Sequence, residues 1–372
     1  MDAITEFLGA LTVTQRAILG VAAVLVAFAV LVAATSLVLS FRRALLLWLA
    51  VVAAVVAVTV LIPVDTTGLG ATPRPEASYA AALARFEAEN AKDPIPLNPL
   101  CEPKILGHGE RTAKVVVLFH GVSSCPRAFV DFAPLLYDRG YNVLVARMPY
   151  NGHADRATDS LRNLTAEGLA AWGDASVDIA AGLGEEIVVL GISAGGTAAA
   201  WAAQNRPEVR RGVLVAPFFG LGNFGPRVNL ALMRAMLLLP HLSIWKDPLL
   251  RDRFEGMPHA YQRQSTRATG EIMRLGLATY REATEGRPAA PEAAIVTNAA
   301  DTAVANVVTG YLARRWQEGG MQVFEYEFPA EHGLGHELID PLEPGADPAL
   351  TYPVILQAIE DPSQLPGAHP PS

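Results

Sequence analysis

Residues Ile187-Val188-Val189-Leu190-Gly191-Ile192-Ser193-Ala194-Gly195-Gly196-Thr197 run from a short β-branched segment straight into a Gly-x-Ser-x-Gly turn, and an alanine-rich segment follows as far as Ala203. With no spacer between them these read as a strand, a sharp turn and a helix, with Ser193 at the apex. Small residues two places to either side, Gly191 and Gly195, are what such a bend requires, because the helix must pack close against the strand it leaves. A serine held there is exposed for attack on a carbonyl. The amide of Ala194, in the first turn of the helix, points where negative charge on oxygen would develop. A plain glycine–serine loop would leave the abutting strand and helix unexplained.

Strand and helix signals alternate on both sides of this turn. Strands are expected at Ala113–Phe119, Tyr141–Ala146, Glu186–Leu190, Gly212–Pro217, Ala293–Thr297 and Met321–Phe328. Helices are expected at Arg127–Arg139, Thr165–Gly182, Ala194–Asn205, Thr302–Gly319 and Ala349–Ile359. Such alternation makes an α/β fold, a mostly parallel sheet with helices on both faces. Residues Phe218 to Pro291 interrupt it and are too many for a connection. They include Val228–Leu239, apolar almost all the way round, and a helical Thr269–Ala283. A helix apolar on every side is buried or faces something greasy. This insertion, about 218–291, is expected to be a lid over the site, with an additional packed layer as the alternative.

A serine hydroxyl is a poor nucleophile at neutral pH and needs a base, which in turn needs an orienting acid. In open α/β sheets the chemistry lies beyond the carboxyl ends of the strands, so the partners should follow later strands. Asp301 comes just past the strand ending at Thr297, and His332 and His336 follow the strand ending at Phe328. The chain order Ser193, Asp301, His336 is the one this architecture uses. His336 is preferred over His332 because Gly333-Leu334-Gly335 precedes it. Asp340 is the reserve acid, more simply read as a carboxylate that fixes its own loop. The two histidines lack a convergent third ligand, so no metal is expected, and no cofactor. A second amide for the developing oxyanion should come from Val122, in the loop His120-Gly121-Val122 after the first strand; His120 itself is expected to brace that loop.

Together His120-Gly121-Val122, Arg147-Met148-Pro149-Tyr150-Asn151-Gly152-His153, Gly191–Gly196, Asp301 and Gly335-His336 resemble the α/β-hydrolase superfamily, in its branch of carboxylesterases, monoacylglycerol lipases and serine aminopeptidase-like hydrolases. The resemblance spans about Cys101 to Ile359. It implies a serine hydrolase with Ser193, Asp301 and His336 as triad, and gives the loop of His153 a place bordering the pocket without a chemical role. An ester or lipid substrate cleaved through an acyl-enzyme is the leading expectation. A peptidase or amidase is the alternative, which would use a carboxylate near the lid (Glu255, Glu271 or Glu282) for a free amino terminus. A catalytically idle binding protein on the same scaffold is the third reading.

The amino-terminal part lies outside the resemblance. The 372-residue chain is 51% hydrophobic and only 18% charged, and the excess is local. No charge occurs from Ala17 to Leu39, and none from Ala44 to Val64, with Ser40-Phe41-Arg42-Arg43 between. At ~1.5 Å per residue each run can cross a ~30 Å hydrocarbon layer. A transmembrane hairpin is therefore expected (residues 1–65, with spans at about 17–39 and 44–64) and not a cleaved signal, whose start would be basic. Arg42 and Arg43 should keep the loop cytoplasmic, leaving the 101–372 domain extracytoplasmic. Residues 66–100 read as an extended linker and an amphipathic helix, Glu76–Ala91. The two cysteines, Cys101 and Cys125, suit an oxidising compartment and are expected to pair. On the chain-entropy account, closing that loop of about 25 residues contributes about 3.5 kcal/mol. A net charge of −8 argues against nucleic acid as a partner; the sequence carries no signal of oligomeric state.

Overall fold

The structure, a computed structural model, describes residues 26, 28–61, 63–92, 95–222, 224–246 and 257–366, and it divides into two compact units, Met1–Pro63 and Val64–Ser372. In the first unit a helix over 28–36 ends where Thr35 Oγ1 and Ser36 Oγ donate back to the carbonyls of Leu31 and Ala33. Helix α1, Phe41–Leu61, then starts sooner than expected, with Ala44 N–H bonded to the Ser40 carbonyl. Arg42 and Arg43 therefore stand in its first turn and not in the connecting loop. Among the described residues no helix is long and apolar enough to cross a membrane, so the expected pair of spans is not found. Residues 17–25 and 27 of the first expected span, and residue 62 and the side chains of 54–61 in the second, lie outside the described residues.

In the second unit a seven-stranded sheet runs β1-β3-β2-β4-β5-β8-β9. Its strands are β1 (Lys104–Leu106), β2 (Thr112–Phe119), β3 (Asn142–Ala146), β4 (Gly184–Ile192), β5 (Val209–Val215), β8 (Glu292–Asn298) and β9 (Gln322–Phe328). All pair in parallel except β1, an edge strand antiparallel to β3. The central strands are buried on both faces. In β2, Val115, Val117 and Phe119 face one core, while Val116 and Leu118 face the other. This period of two within the apolar run Val115–Phe119 is why no polar side chain marks an outer face there.

The first face is covered by α4 (Ala166–Leu183), α5 (Ala194–Asn205), α7 (Thr266–Glu285) and α8 (Asn306–Glu318); the second by α3 (Ala133–Tyr137) and α9 (Pro348–Glu360). Thr165 Oγ1 caps α4 by accepting from Gly168 N–H. The single helix expected over Arg127–Arg139 is instead a 3-10 turn, Pro126–Phe129, followed by the short α3. Pro134 is the cause: it has no N–H for the Val130 carbonyl, and its ring would collide with that carbonyl in a continuous helix.

The insertion divides into two kinds of structure. Helix α7 presents Ala268, Ile272, Leu275 and Thr279 to the interior and packs with α4 and α5, so it belongs to the helical layer. Ahead of it come α6 (Pro226–Leu238) and an antiparallel ribbon of β6 (Ser243–Trp245) and β7 (Arg263–Ser265). Helix α6 buries only Asn229 and Met233, and Phe224, Val228, Leu238, Leu239, Leu242 and Ile244 are exposed around it.

The segment after Pro63 is bonded along its length. Arg281 donates to the Val64 carbonyl and to Thr66 Oγ1, and Trp201 Nε1 donates to the Leu69 carbonyl at 2.6 Å. Asp174 accepts from both Thr72 N–H and its hydroxyl, and Asp178 accepts from Arg74 N–H. Both carboxylates also pair with the fully buried Arg206, at 2.6 and 2.7 Å. What reads as a linker is a strap across α4, α5 and α7, leading into α2 (Tyr79–Asn90).

Candidate active site

Register puts the ends of four strands at one edge. Phe119 pairs with Gly191, Ile192 with Val215, Val215 with Val296, and Asn298 with Phe328. The loops that follow β2, β4, β8 and β9 therefore leave the sheet side by side. They carry Val122, Ser193, Asp301 and His336.

Ser193 stands between β4 and α5 at φ 56° and ψ −121°, a conformation that non-glycine residues avoid at a cost of about 1–3 kcal/mol. Neighbouring strands hold it there: Ser193 N–H donates to the Val215 carbonyl (3.1 Å), and Phe218 N–H donates to the Ser193 carbonyl (3.0 Å). The flanking glycines are needed for space. A Cβ on Gly195 would overlap the Phe119 carbonyl, and one on Gly191 would overlap the carbonyl of Gly195.

Gly121 lies against the nucleophile candidate, since a Cβ there would be 3.5 Å from Ser193 Cβ. This brings the loop carrying Val122 beside Ser193. Ala194 is the first residue of α5, so its amide has no partner within the helix. Two buried side chains set the Val122 loop. Asn151 Nδ2 donates to the carbonyls of Val122 and Ser124. His120 makes a 2.8 Å bond from Nδ1 to the Gly121 carbonyl, while Nε2 accepts from Met148 N–H at 3.0 Å. Burial, aided by the nearby Arg147 charge, pushes His120 down to about 3, so it is a neutral brace.

Asp301 and His336 meet: Nδ1 of the imidazole is 2.6 Å from Oδ2 of the carboxylate, whose side chain is fully buried. Asp301 Oδ1 accepts from Ala303 N–H at 2.8 Å. The His336 loop is held by Asn298, whose Nδ2 donates to the carbonyls of Leu334 and Gly335 at 3.0 and 2.8 Å. His332 sits on the exposed turn Ala330–His332, apart from this pair. Asp340 is fully buried, and its partner is His259 of the insertion, at 2.7 Å. Neither Asn298 nor His259 carries a local sequence signal for these roles.

Of the carboxylates a peptidase would need near the lid, Glu271 is bonded to Ala166 N–H and Arg274, and Glu282 to Asn205. Glu255 lies outside the described residues. Cys101 and Cys125 form a disulfide, with Cα atoms 5.3 Å apart, which ties the approach to β1 to the turn after the Val122 loop.

Residues 116–349 match the alpha/beta hydrolase family. The chain belongs to that family. Among solved structures, the monoacylglycerol lipase of Paleococcus ferrophilus is similar at 18% identity and a TM-score of 0.51, over 69% of this chain and 98% of that one. A soluble variant of the monoglyceride lipase of Saccharomyces cerevisiae in complex with a substrate analogue is similar at 14% identity and a TM-score of 0.44, over 66% of this chain and 85% of that one. Est1E of Butyrivibrio proteoclasticus with bound ferulic acid is similar at 16% identity and 0.46, over 69% and 95%. At 18% identity the likeness to the Paleococcus structure is one of fold. No curated protein matches the sequence significantly.

The electrostatics of this hydrolase site are set by opposing influences. Burial works to raise the pKa of Asp301, but the hydrogen bond and charge of His336 and the Ala303 and Val304 amides outweigh it, holding the acid below the usual range. Burial works to lower His336, yet Asp301, with Glu337 and Glu343 behind it, raises it above the ordinary imidazole value. Glu337 is itself buried and pushed up to about 7, first by burial and then by the Asp340 charge against the relief from His336. Because the Glu337 carboxylate helps hold the proton on His336, Glu337→Gln should move the acid limb of kcat/KM to lower pH. Native Glu337 binds its proton more tightly than the unfolded chain does. Stability should therefore fall as pH rises from about 4.5 to about 7, by about 3 kcal/mol in all. The glutamine variant should lack that fall; denaturant midpoints across this range check it.

Proposed function

We propose that the protein is a membrane-anchored serine hydrolase that cleaves carboxylic esters of acyl-glycerol or lysolipid type through an acyl-enzyme. The observation that carries the chemistry is the Asp301–His336 bond on loops at the same sheet edge as the strained Ser193. With Nδ1–H given to Asp301, Nε2 of His336 is the free base that takes the Ser193 proton. The alkoxide attacks the ester carbonyl, and the amides of Val122 and Ala194 receive the charge on the carbonyl oxygen. His336 returns the proton to the leaving alcohol, and water deacylates the serine by the same route. The non-catalytic reading has no account of why backbone strain is maintained at Ser193.

A lipid-like acyl chain is supported by an apolar cavity of about 660 Å³ between α6, α7 and α8, walled by Phe219, Leu230, Met233, Met273, Leu277 and Leu312. No triad side chain lines it, but Phe219 follows directly on Phe218, whose amide is bonded to the Ser193 carbonyl. Acyl-glycerol is the substrate class in the name of the Paleococcus neighbour. Leu230→Trp, which fills this cavity, should lower kcat/KM for long-chain esters by about tenfold or more while sparing short ones. An acyl-chain series on wild type and variant checks it.

Membrane anchoring is supported by the two uncharged runs, by the exposed Leu46, Leu47, Leu49, Val51 and Val52 on α1, and by the exposed apolar side chains around α6. An extracytoplasmic domain is supported by the disulfide. The decisive experiment is turnover of p-nitrophenyl acyl esters and monoacylglycerols by the detergent-purified full chain, with fluorophosphonate labelling mapped to Ser193. Absence of both turnover and labelling would overturn the proposal.

A further inference from the structure

In sheet order β2 and β9 are four steps apart, about 19 Å at ~4.8 Å per strand, so no direct strand pairing joins the Val122 loop to the His336 loop. One segment of the insertion, 257–263, touches both. On one side Tyr261 N–H donates to the Ser123 carbonyl at 2.8 Å, next to Val122, and Tyr261 Oη donates to the Tyr150 carbonyl at 2.7 Å. Arg156 Nε donates to the Ala260 carbonyl at 3.0 Å. On the other side His259 Nε2 lies 2.7 Å from Asp340 Oδ2, and both side chains are completely buried. Asp340 follows four residues after His336 and is built into its loop: Oδ1 accepts from Leu342 N–H at 3.0 Å, and its own N–H reaches Glu337 Oε1 at 3.4 Å.

We propose that His259 and Asp340 are a positioning pair that clasps the loop carrying the base to the loop carrying the oxyanion amide, so that proton transfer and charge stabilisation act on the same carbonyl. The pair touches neither substrate nor Ser193; it acts through His336. A buried imidazole and carboxylate with no substrate to meet are costly to retain, and a stabilising role alone would be met as well by apolar side chains of similar size. What the pair supplies beyond packing is a close polar contact between two loops whose strands are not neighbours in the sheet. This inference rests on the triad proposed above.

The test is a double-mutant cycle on the full chain with His259→Gln, Asp340→Asn and the double variant, with His259→Ala as the harsher single. Each single variant should lower kcat about 10- to 100-fold with KM nearly unchanged, the scale expected when a catalytic group shifts by about 1 Å. The double variant should be no worse than the weaker single, because the contact is lost once. His336 is faced by Asp301 from the β8 loop and by Glu337 and Glu343 from its own. If the loop swings away from Asp301, the acid limb of kcat/KM moves to lower pH, which a loss of folded fraction alone does not produce. Folding is followed by Tm on each variant. If His259→Ala fails to fold, the two amide variants, which keep the volume and polarity, carry the comparison. Unchanged kcat in folded variants, additive losses, or losses that track Tm with an unmoved acid limb would overturn the pairing. Inactivity of wild type would instead remove the triad on which it rests.

Discussion

Ser193→Ala is expected to lower kcat on esters by as much as about a million-fold, with KM little changed and fluorophosphonate labelling abolished. The size follows from the role: without the hydroxyl no acyl-enzyme forms, and what persists is the background that Val122, Ala194 and the pocket lend to attack by water. The fold should be untouched. Ser193 makes its supporting bonds through its backbone, to Val215 and Phe218, and alanine retains them. The φ of 56° is as unfavourable for alanine as for serine, so Tm should barely move. Steady-state kinetics with a calorimetric scan on the same preparation separate the two effects. A variant that keeps more than about one per cent of activity would remove Ser193 from the chemistry.

Asp301→Asn should cost about ten-thousand-fold in kcat. With its oxygen kept on the Ala303 and Val304 amides, the asparagine turns its NH2 to His336 Nδ1, which forces the ring proton onto Nε2 and leaves that nitrogen unable to act as base. The pH profile should shift as well. On the proposed mechanism activity should require neutral His336 and be lost as pH falls through its pKa, which Asp301 helps hold above the ordinary value. Without the carboxylate the acid limb of the residual activity should therefore move to lower pH. Stability gives an independent sign. Asp301 is depressed in the folded state, so its contribution is present above the unfolded carboxylate pKa and is lost as pH falls through the folded value. The wild type should lose more stability than Asp301→Asn on acidification. A pH–rate profile and acid denaturation curves measure both.

Where expectation and structure differ, the cause is identifiable. The Arg127–Arg139 helix was broken by a proline inside an otherwise suitable apolar pattern, so the backbone rule outweighed periodicity. Helix α6, apolar almost all the way round, could have been buried or have faced something greasy, and it exposes Val228 and Leu238. Periodicity reports how apolar a face is and is silent on what covers it. The segment 66–75 has the composition of a linker, but Trp201, Asp174 and Arg281 supply bonds to its backbone, which composition cannot register.

The strand–turn–helix at Ser193, the parallel α/β order and the triad candidates in chain sequence could all be read from residues a few positions apart. Backbone geometry at a tight bend and burial of β-branched runs are local physical demands, so local sequence carries them. Which histidine meets Asp301, which carboxylate meets His259, and which asparagine holds each loop were decided by packing across the sheet edge. Those contacts join residues far apart in the chain, and nothing in the identity of an isolated His, Asp or Asn says what will face it once the strands have aligned.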